Sequence, residues 1–403
     1  YWVSMTLVTQ DGLATYVLRR RVDIFPVVVV TPSQAYTEDF EATAGGWIAH
    51  GVVDANLIVV DSSSWQLKAP DGFSISNDRG RAWVTDNRSN PNSAPNANFN
   101  NNEQSYVESP CFDITNLGKP MVAFRYWADT DQGSDGVTLL YTIDDGKTWF
   151  RVGTEKTGIN WYNSRPILGA PGKASTSENA DNQGWSGKLG LVEGKWRLAR
   201  YSLDEVLIKM TAAGISQRMV RFRMAFGSNS DNPANVKFDG FAFDDFNISN
   251  RNRTLLHEFF INQGVTNAQA FDLEARKHPG IGASEIVSIH HHTGFPARDV
   301  INLQNDKDPS GRAFHHGIRE VPRSIIDGQA KDTLLGQWAS DIYYNRILIP
   351  APFSINLGQP VTSNGKLSLS ASITALQNFD RKLLMHVVVI DSTVTIGTEL
   401  YHN

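Results

Sequence analysis

GFAFDDFNIS, residues 240 to 249, alternates aromatic with small residues and then meets two adjacent aspartates. Successive side chains of a strand point to opposite faces. Regular alternation therefore puts Phe243 and Asp245 on one side and Asp244 on the other, and both acids reach a common partner only if a bulge intervenes. RMVRFRMAFG, 218 to 227, shows the same period. Val220, Phe222, Met224 and Phe226 make one face and Arg221 and Arg223 the other, as in a half-buried antiparallel strand. YVESPCFDI, PMVAFRYWAD and GVTLLYTIDDG are further short apolar runs between turn residues. Residues 36 to 250 thus read as an antiparallel β-sandwich. Within it, NRSNPNSAPNANFNNN (87 to 102) has eight asparagines in sixteen positions and reads as an exposed loop.

The flanking segments differ in texture. WVSMTLVT and LATYVLRRRVDI around QDG predict a hairpin. After residue 250, RTLLHEFF reads as a strand, NAQAFDLEARKHP carries helical spacing, and EIVSIHHHT and VPRSIIDG read as strands, an α/β order. From 343 the chain reads as β again, through YNRILIPAPFSINLG, GKLSLSASITAL and KLLMHVVVIDSTV. The expected domains are 1–30, 36–250, 251–340 and 343–403, in a mainly β, multidomain chain. A length of 403 residues fits several domains, being beyond the size at which one core stops growing.

Composition excludes several classes. With 37 Lys and Arg against 42 Asp and Glu and no basic patch interleaved with aromatics, nucleic acid is not an expected partner. Cys111 is the sole cysteine, which removes intramolecular disulfides, thiolate metal clusters and CxxC redox pairs; beside Phe112 it reads as a buried small hydrophobe. No apolar run approaches the roughly 20 residues of a membrane-spanning helix. The opening YWVSMTLVTQDG has neither initiator methionine nor charged n-region, so the chain reads as starting inside a longer precursor.

Residues 36 to 250 resemble the MAM-type or carbohydrate-module-type jelly rolls of secreted Bacteroidota proteins. The likeness lies in YTEDFE with Trp47, SPCFDI, VAFRYWAD, YTIDDGKTW, NWY, GWSG and GFAFDDFNI, in that order. It implies binding or spacing roles in large surface proteins attached to proteases or adhesins. It also implies that first and last strands are neighbours whose acids hold one structural calcium: here Glu38, Asp39, Glu41, Asp244 and Asp245, against the alternative of plain acidic surface. Calcium needs six to eight oxygens, so backbone carbonyls would supplement them. In TIDDGKTW, Thr142, Asp144, Gly146, Thr148 and Trp149 match a single aspartate-box hairpin, a structural device. Trp161, Tyr162 and Trp185 would form a sugar-stacking platform if exposed; core competes for them, and for Trp127 core is the expectation.

Residues 253 to 328 resemble the thioredoxin-like domain of the Omp28 family of outer-membrane lipoproteins and secreted proteins. LLHEFF matches the first strand, with Glu258 and Phe259 in the family's places; Gly264 and Asn267 stand where its two cysteines would be, and Pro322 in REVPRSIIDG is the expected cis-proline. Thiol–disulfide exchange needs a thiolate, so the resemblance implies a redox-inactive domain. The 343–403 segment resembles the β domain that follows it, and the opening hairpin the end of a PKD-type module.

His290, His291 and His292 close the third element. Alternation sends His290 and His292 one way and His291 the other, so the triplet does not converge on one metal. A zinc set of His290 or His292 with His315 or His316 and Asp299 stands beside two alternatives, a polar rim and a pH-sensitive contact. No HExxH spacing favours the metal. The functional expectation is a non-catalytic binding or adaptor component of an extracellular or cell-surface assembly at the outer face of the outer membrane. It is tied to type IX secretion or gliding, with a protein or glycan as partner. Its competitors are accessory domains of a secreted metallopeptidase and a glycan-binding or glycan-degrading protein. A binding protein calls for an exposed apolar patch; a glycosidase calls for two carboxylates across a cleft.

Overall fold

The structure, a computed structural model, describes residues 2–12, 15–21, 23–51, 63–72, 74–75, 77–86, 98–173, 181–190, 196–230, 236–265, 285–330, 340–390, 393–396 and 399–402. The chain is mainly β, with several sheets, and divides into two compact units, Tyr1–Asn250 and Arg251–Asn403.

Among the described residues the first unit holds two seven-stranded sheets. One centres on Pro120–Asp129 paired antiparallel with Gly240–Asn250; the other centres on Gly136–Thr142 paired with Met219–Gly227. Their inner faces meet in an aromatic core that includes Phe124, Tyr126, Phe241, Phe222 and Phe226. The pairing of the first sheet slips once: Ala123 faces Asn247 but Arg125 faces Asp244, so Phe124 opposes both Asp245 and Phe246. Asp245 takes the left-handed conformation, φ 51°, as the extra residue of the bulge. Inward positions accordingly change parity, from Phe241 and Phe243 to Phe246 and Ile248, all buried. The doubled aspartate of the sequence is thus a point where the strand resets its register.

Three expectations change here. The sandwich starts before residue 36, because Val27–Val29 runs parallel to Cys111–Asp113 and Val30 lies in the core. The end of the asparagine-rich loop is not solvated: Asn98, Phe99 and Asn100 are buried, and Asn98 Nδ2 donates to Asp239 Oδ1 at 3.3 Å. Residues 87–97 of that loop lie outside the described residues. Nor is the arginine face of 219–227 open to water. The Arg223 guanidinium lies between the rings of Tyr106 and Trp149, 3.9 and 3.8 Å from their centroids, and its Nε donates to Glu108 Oε2 at 2.9 Å. Arg221, over Phe25, is buried. Alternation predicts which way a side chain points and says nothing of what later segments lay over it. The hairpin of Trp2–Val8 with Thr15–Arg21 forms as predicted, with Gly12 at φ 69° in its turn.

In the second unit, Leu255–Ile261 runs parallel to Ile286–His292 and antiparallel to Arg323–Ile326, which pairs in turn with Gln329–Ala330. A parallel pair needs a crossover of a dozen or more residues; the predicted helix of 267–279, with Asn267, lies outside the described residues. Helix Lys307–His315 packs Ala313 on Phe260 and Ile325. Residues 343–347, expected as strand, belong instead to helix Ser340–Ile347. Tyr343 and Ile347, spaced i and i+4 on one helix face, are both buried, and the Tyr343 hydroxyl stands 3.2 Å from His257 Nδ1. Beyond it, Phe353–Leu357 pairs with Ala371–Ala375 and Val361–Ser363 with Lys366–Ser368. Lys382–Ile390, which reads as a strand, joins no ladder with a described strand.

Candidate functional site

The bulge governs the acids expected to bind calcium. It turns Asp244 and Asp245 to one guanidinium: Arg79 Nε donates to Asp244 Oδ2 at 3.1 Å and its Nη2 to Asp245 Oδ2. Arg125 Nε also donates to Asp245 Oδ2, at 3.1 Å. Burial, then the charge of Asp245, pushes the Asp244 carboxyl up to about 7 despite Arg79. Glu38 and Asp39 accept from the amides of Phe40 and Glu41 within their own turn. Glu41 Oε1 accepts from the Arg81 amide at 2.9 Å, over Gly80, where a Cβ would stand 2.2 Å from that oxygen. Among the described residues no three His, Cys, Asp or Glu side chains form a metal-holding group. Asp244 and Asp245 take their countercharge from Arg79 and Arg125, whereas Glu38, Asp39 and Glu41 accept from backbone amides. The sequence reading missed Arg79, which lies 165 residues from Asp244.

The sugar-stacking expectation is corrected. Trp161, Tyr162 and Trp185 are 5%, 2% and 0% exposed and pack on one another through tilted and edge-to-face contacts in the core. Trp127 is buried too, in a separate cluster with Trp196. A core this aromatic leaves none of these rings free to stack on a sugar.

The aspartate-box hairpin closes on itself. Thr142 Oγ1 donates to Asp144 Oδ1 at 2.8 Å, and the Thr148 amide donates to the same oxygen at 2.9 Å. Gly146 sits at φ 85°, and Trp149, 2% exposed, donates its indole N–H to the Gly146 carbonyl. Burial raises the Asp144 carboxyl, but the hydrogen bonds from the Thr148 hydroxyl and amide and from Thr142 together outweigh it and hold the group below its ordinary range.

The histidines divide between the two faces of the second unit's sheet, as alternation requires, and among the described residues no group of three His, Cys, Asp or Glu brings the zinc alternative together. His292 Nδ1 lies 2.9 Å from Asp299 Oδ2, and the His290 ring packs on Phe259. His291 turns the other way with Glu258, its Nε2 3.1 Å from Oε1. His316 Nε2 stands 3.6 Å from Glu258 Oε2, with His315 against its ring. Arg312 forks onto Glu258, both N···O distances 2.7 Å. Burial raises the Glu258 carboxyl, yet Arg312 and His291 together outweigh it and hold the group at about 2. Burial and the nearby Arg312 charge push His316 below the usual imidazole range. The sequence reading placed Glu258 as a family marker and did not give it these partners. The Val321–Pro322 peptide is cis, and the Gly264 amide donates to Asn262 Oδ1 at the exit of the first strand.

Asp135 also escaped the sequence reading. It is 0% exposed; its Oδ1 accepts from the Asn229 amide at 2.9 Å, while among the described residues Oδ2 has no hydrogen-bond partner. Burial pushes its carboxyl up to about 7 from 3.8. The folded state therefore holds a proton that the unfolded chain releases, so this group's contribution is fully present below pH 3.8 and is lost as pH rises through about 7. Asp135→Asn is expected to stabilise the first unit by about 2–4 kcal/mol at pH 8 and to change little below about pH 4. Urea unfolding at the two pH values reads this directly; an equal effect at both would contradict it.

No family model and no curated protein matches the chain. Among solved structures, it is similar to the K1 cleaved adhesin domain of Lys-gingipain from Porphyromonas gingivalis W83, with 13% identity and a TM-score of 0.28 over 54% of this chain and 99% of that one. It is likewise similar to the K3 cleaved adhesin domain of the same protein, with 16% identity and a TM-score of 0.27 over 53% of this chain and 98% of that one. Likenesses this slight carry no inference about what the chain binds.

Proposed function

We propose that this chain is a non-catalytic binding or adaptor component of a secreted or cell-surface assembly, and that its second unit pairs with a protein partner. The supporting observation is the ribbon of Phe353–Leu357 with Ala371–Ala375. Phe353, Ile355 and Leu357 oppose Ala375, Ile373 and Ala371 across the ladder, while Ser354, Asn356, Ser372 and Thr374 make the other side. Ile355, Leu357 and Ile373 are 63%, 60% and 44% exposed. A lone two-stranded ribbon is marginal in water, and exposed apolar patches of this kind mark interaction surfaces. Lys382–Ile390 adds an apolar run outside any described ladder, with Leu384 and Val389 the most exposed. The chemistry these features call for is a partner that contributes β-strands, whose main chain takes the open edges while its apolar side chains cover the face.

The four-stranded order of the second unit, with cis Pro322 and Gly264 in place of a cysteine, supports a thioredoxin-like scaffold without redox chemistry. Type IX export, a link to gliding and a place on the outer face of the outer membrane belong to the same proposal and rest on the sequence resemblances.

A photo-crosslinking residue at Ile373 is expected to capture one strand-bearing partner chain in stoichiometric yield, and one at Ser372, on the opposite side, is not. Ile373→Asp, tested with a crosslinker at Leu357, is expected to reduce that capture at least tenfold. Equal capture from both sides, or none, would dismiss the reading.

A further inference from the structure

On the outer face of the first sheet two arginines stand close together. Arg197–Ser202 pairs antiparallel with Pro120–Asp129, Arg200 opposite Ala123 and Leu198 opposite Arg125. Directly opposed residues share a face, so Arg200 and Arg125 are diagonal neighbours on one side of the sheet, with Cβ atoms roughly 7–8 Å apart or somewhat less. Arg125 belongs to the outer face, since its neighbours Phe124 and Tyr126 enter the core. Its Nε is committed to Asp245, which also accepts from Arg79. Arg200 is half-buried, and among the described residues its guanidinium has neither a hydrogen-bond nor an ion-pair partner. Beside it across the Pro120–Asp129 strand stands Asn247, whose amide nitrogen donates to the Tyr36 carbonyl and is not aimed at it. The local count is three guanidiniums, those of Arg79, Arg125 and Arg200, against the carboxylates of Asp244 and Asp245. A half-buried cation beside a second cation is an unfavourable arrangement that an anion would relieve. Burial, then the charge of Arg125, lowers the proton affinity of Arg200, as two adjacent like charges require.

We infer that Arg200 and Arg125 form an anion-binding site on the outer face of the first sheet, suited to a carboxylate or sulfate group carried by a ligand. Two guanidinium forks at diagonal strand spacing can grip such a group from both sides, each offering paired N–H donors. The site is independent of the apolar ribbon, which belongs to the other unit. It would give the first unit a polar ligand where Trp127, Trp161, Tyr162 and Trp185, consumed by the core, give it none.

The test uses the full chain labelled with 15N-arginine and titrated with sodium glucuronate at constant ionic strength. The Nε–Hε signals of Arg125 and Arg200 are expected to shift saturably, and Arg200→Gln to weaken binding at least tenfold. Sulfate is expected to displace glucuronate. Without any ligand, Arg200→Gln should melt no lower than the parent protein, because it relieves a like-charge contact. A structural arginine would instead lower the melting temperature. Absence of saturable shifts, undiminished affinity in Arg200→Gln, or a lower melting temperature of that variant without ligand would each overturn the assignment. Arg165→Gln, at an exposed arginine near Asp181, serves as the control expected to bind normally.

Discussion

Arg312→Met is expected to destabilise the second unit by about 3–5 kcal/mol at pH 7, the range for removing one partner of a buried ion pair. Glu258 is only 2% exposed, and Arg312 supplies both short N–H donors of its fork. With the arginine gone the carboxylate keeps, among the described residues, His291 at 3.1 Å and His316 at 3.6 Å. The pH dependence gives the signature. In the parent protein the carboxyl is held at about 2, below its reference of 4.5. The pair's contribution is therefore complete above about pH 4.5 and is lost as pH falls toward 2. In the variant burial prevails, the carboxyl takes up a proton more readily, and the deficit shrinks as pH drops below about 5. Urea unfolding of the second unit at pH 7 and at about pH 3 measures both effects. Glu258→Gln combined with Arg312→Met should recover most of the loss, since no buried charge is then left alone. A deficit of equal size at both pH values would show that Arg312 acts through packing and not through Glu258.

Trp185→Ala carries the second large effect, an expected loss of about 3–5 kcal/mol from the first unit. Trp185 is fully buried, with its ring centre 4.5 Å from Tyr162, 5.0 Å from Trp161 and 5.4 Å from Phe124. Its indole N–H donates to the Asn160 carbonyl at 3.0 Å, but that carbonyl also accepts from the Tyr126 hydroxyl at 3.1 Å. The variant therefore leaves a cavity without orphaning the acceptor. Calorimetry should show the first unit's transition moved down and the second unit's unchanged. A variant of parental stability that had lost affinity for a glycan would reverse the conclusion and return this ring to the surface.

These residues show how far the chain could be read in one dimension. Periodicity fixes the direction of a side chain relative to its own strand. For that reason the sandwich strands, the opening hairpin, the split of His290 and His292 from His291, and the aspartate-box residues were all legible. Sulfur chemistry was legible as well, because Cys111 is the only cysteine wherever the rest of the chain folds.

What covers a face was not legible, because the covering residues come from far along the chain. Arg79 meets Asp244 and Asp245 across 165 and 166 positions, and Arg312 meets Glu258 across 54. Neither separation carries a local period. The same limit explains why Trp161 and Trp185 stayed undecided between core and surface, and why Tyr343 read as strand until its helix had a sheet to pack on. Local sequence set strand period, turn chemistry and the absence of a second thiol; three-dimensional packing alone decided which charges were neutralised, which aromatics were spent on the core, and that the C-terminal ribbon stayed exposed. The reason is that backbone geometry acts over a few residues, whereas burial and charge pairing act through space.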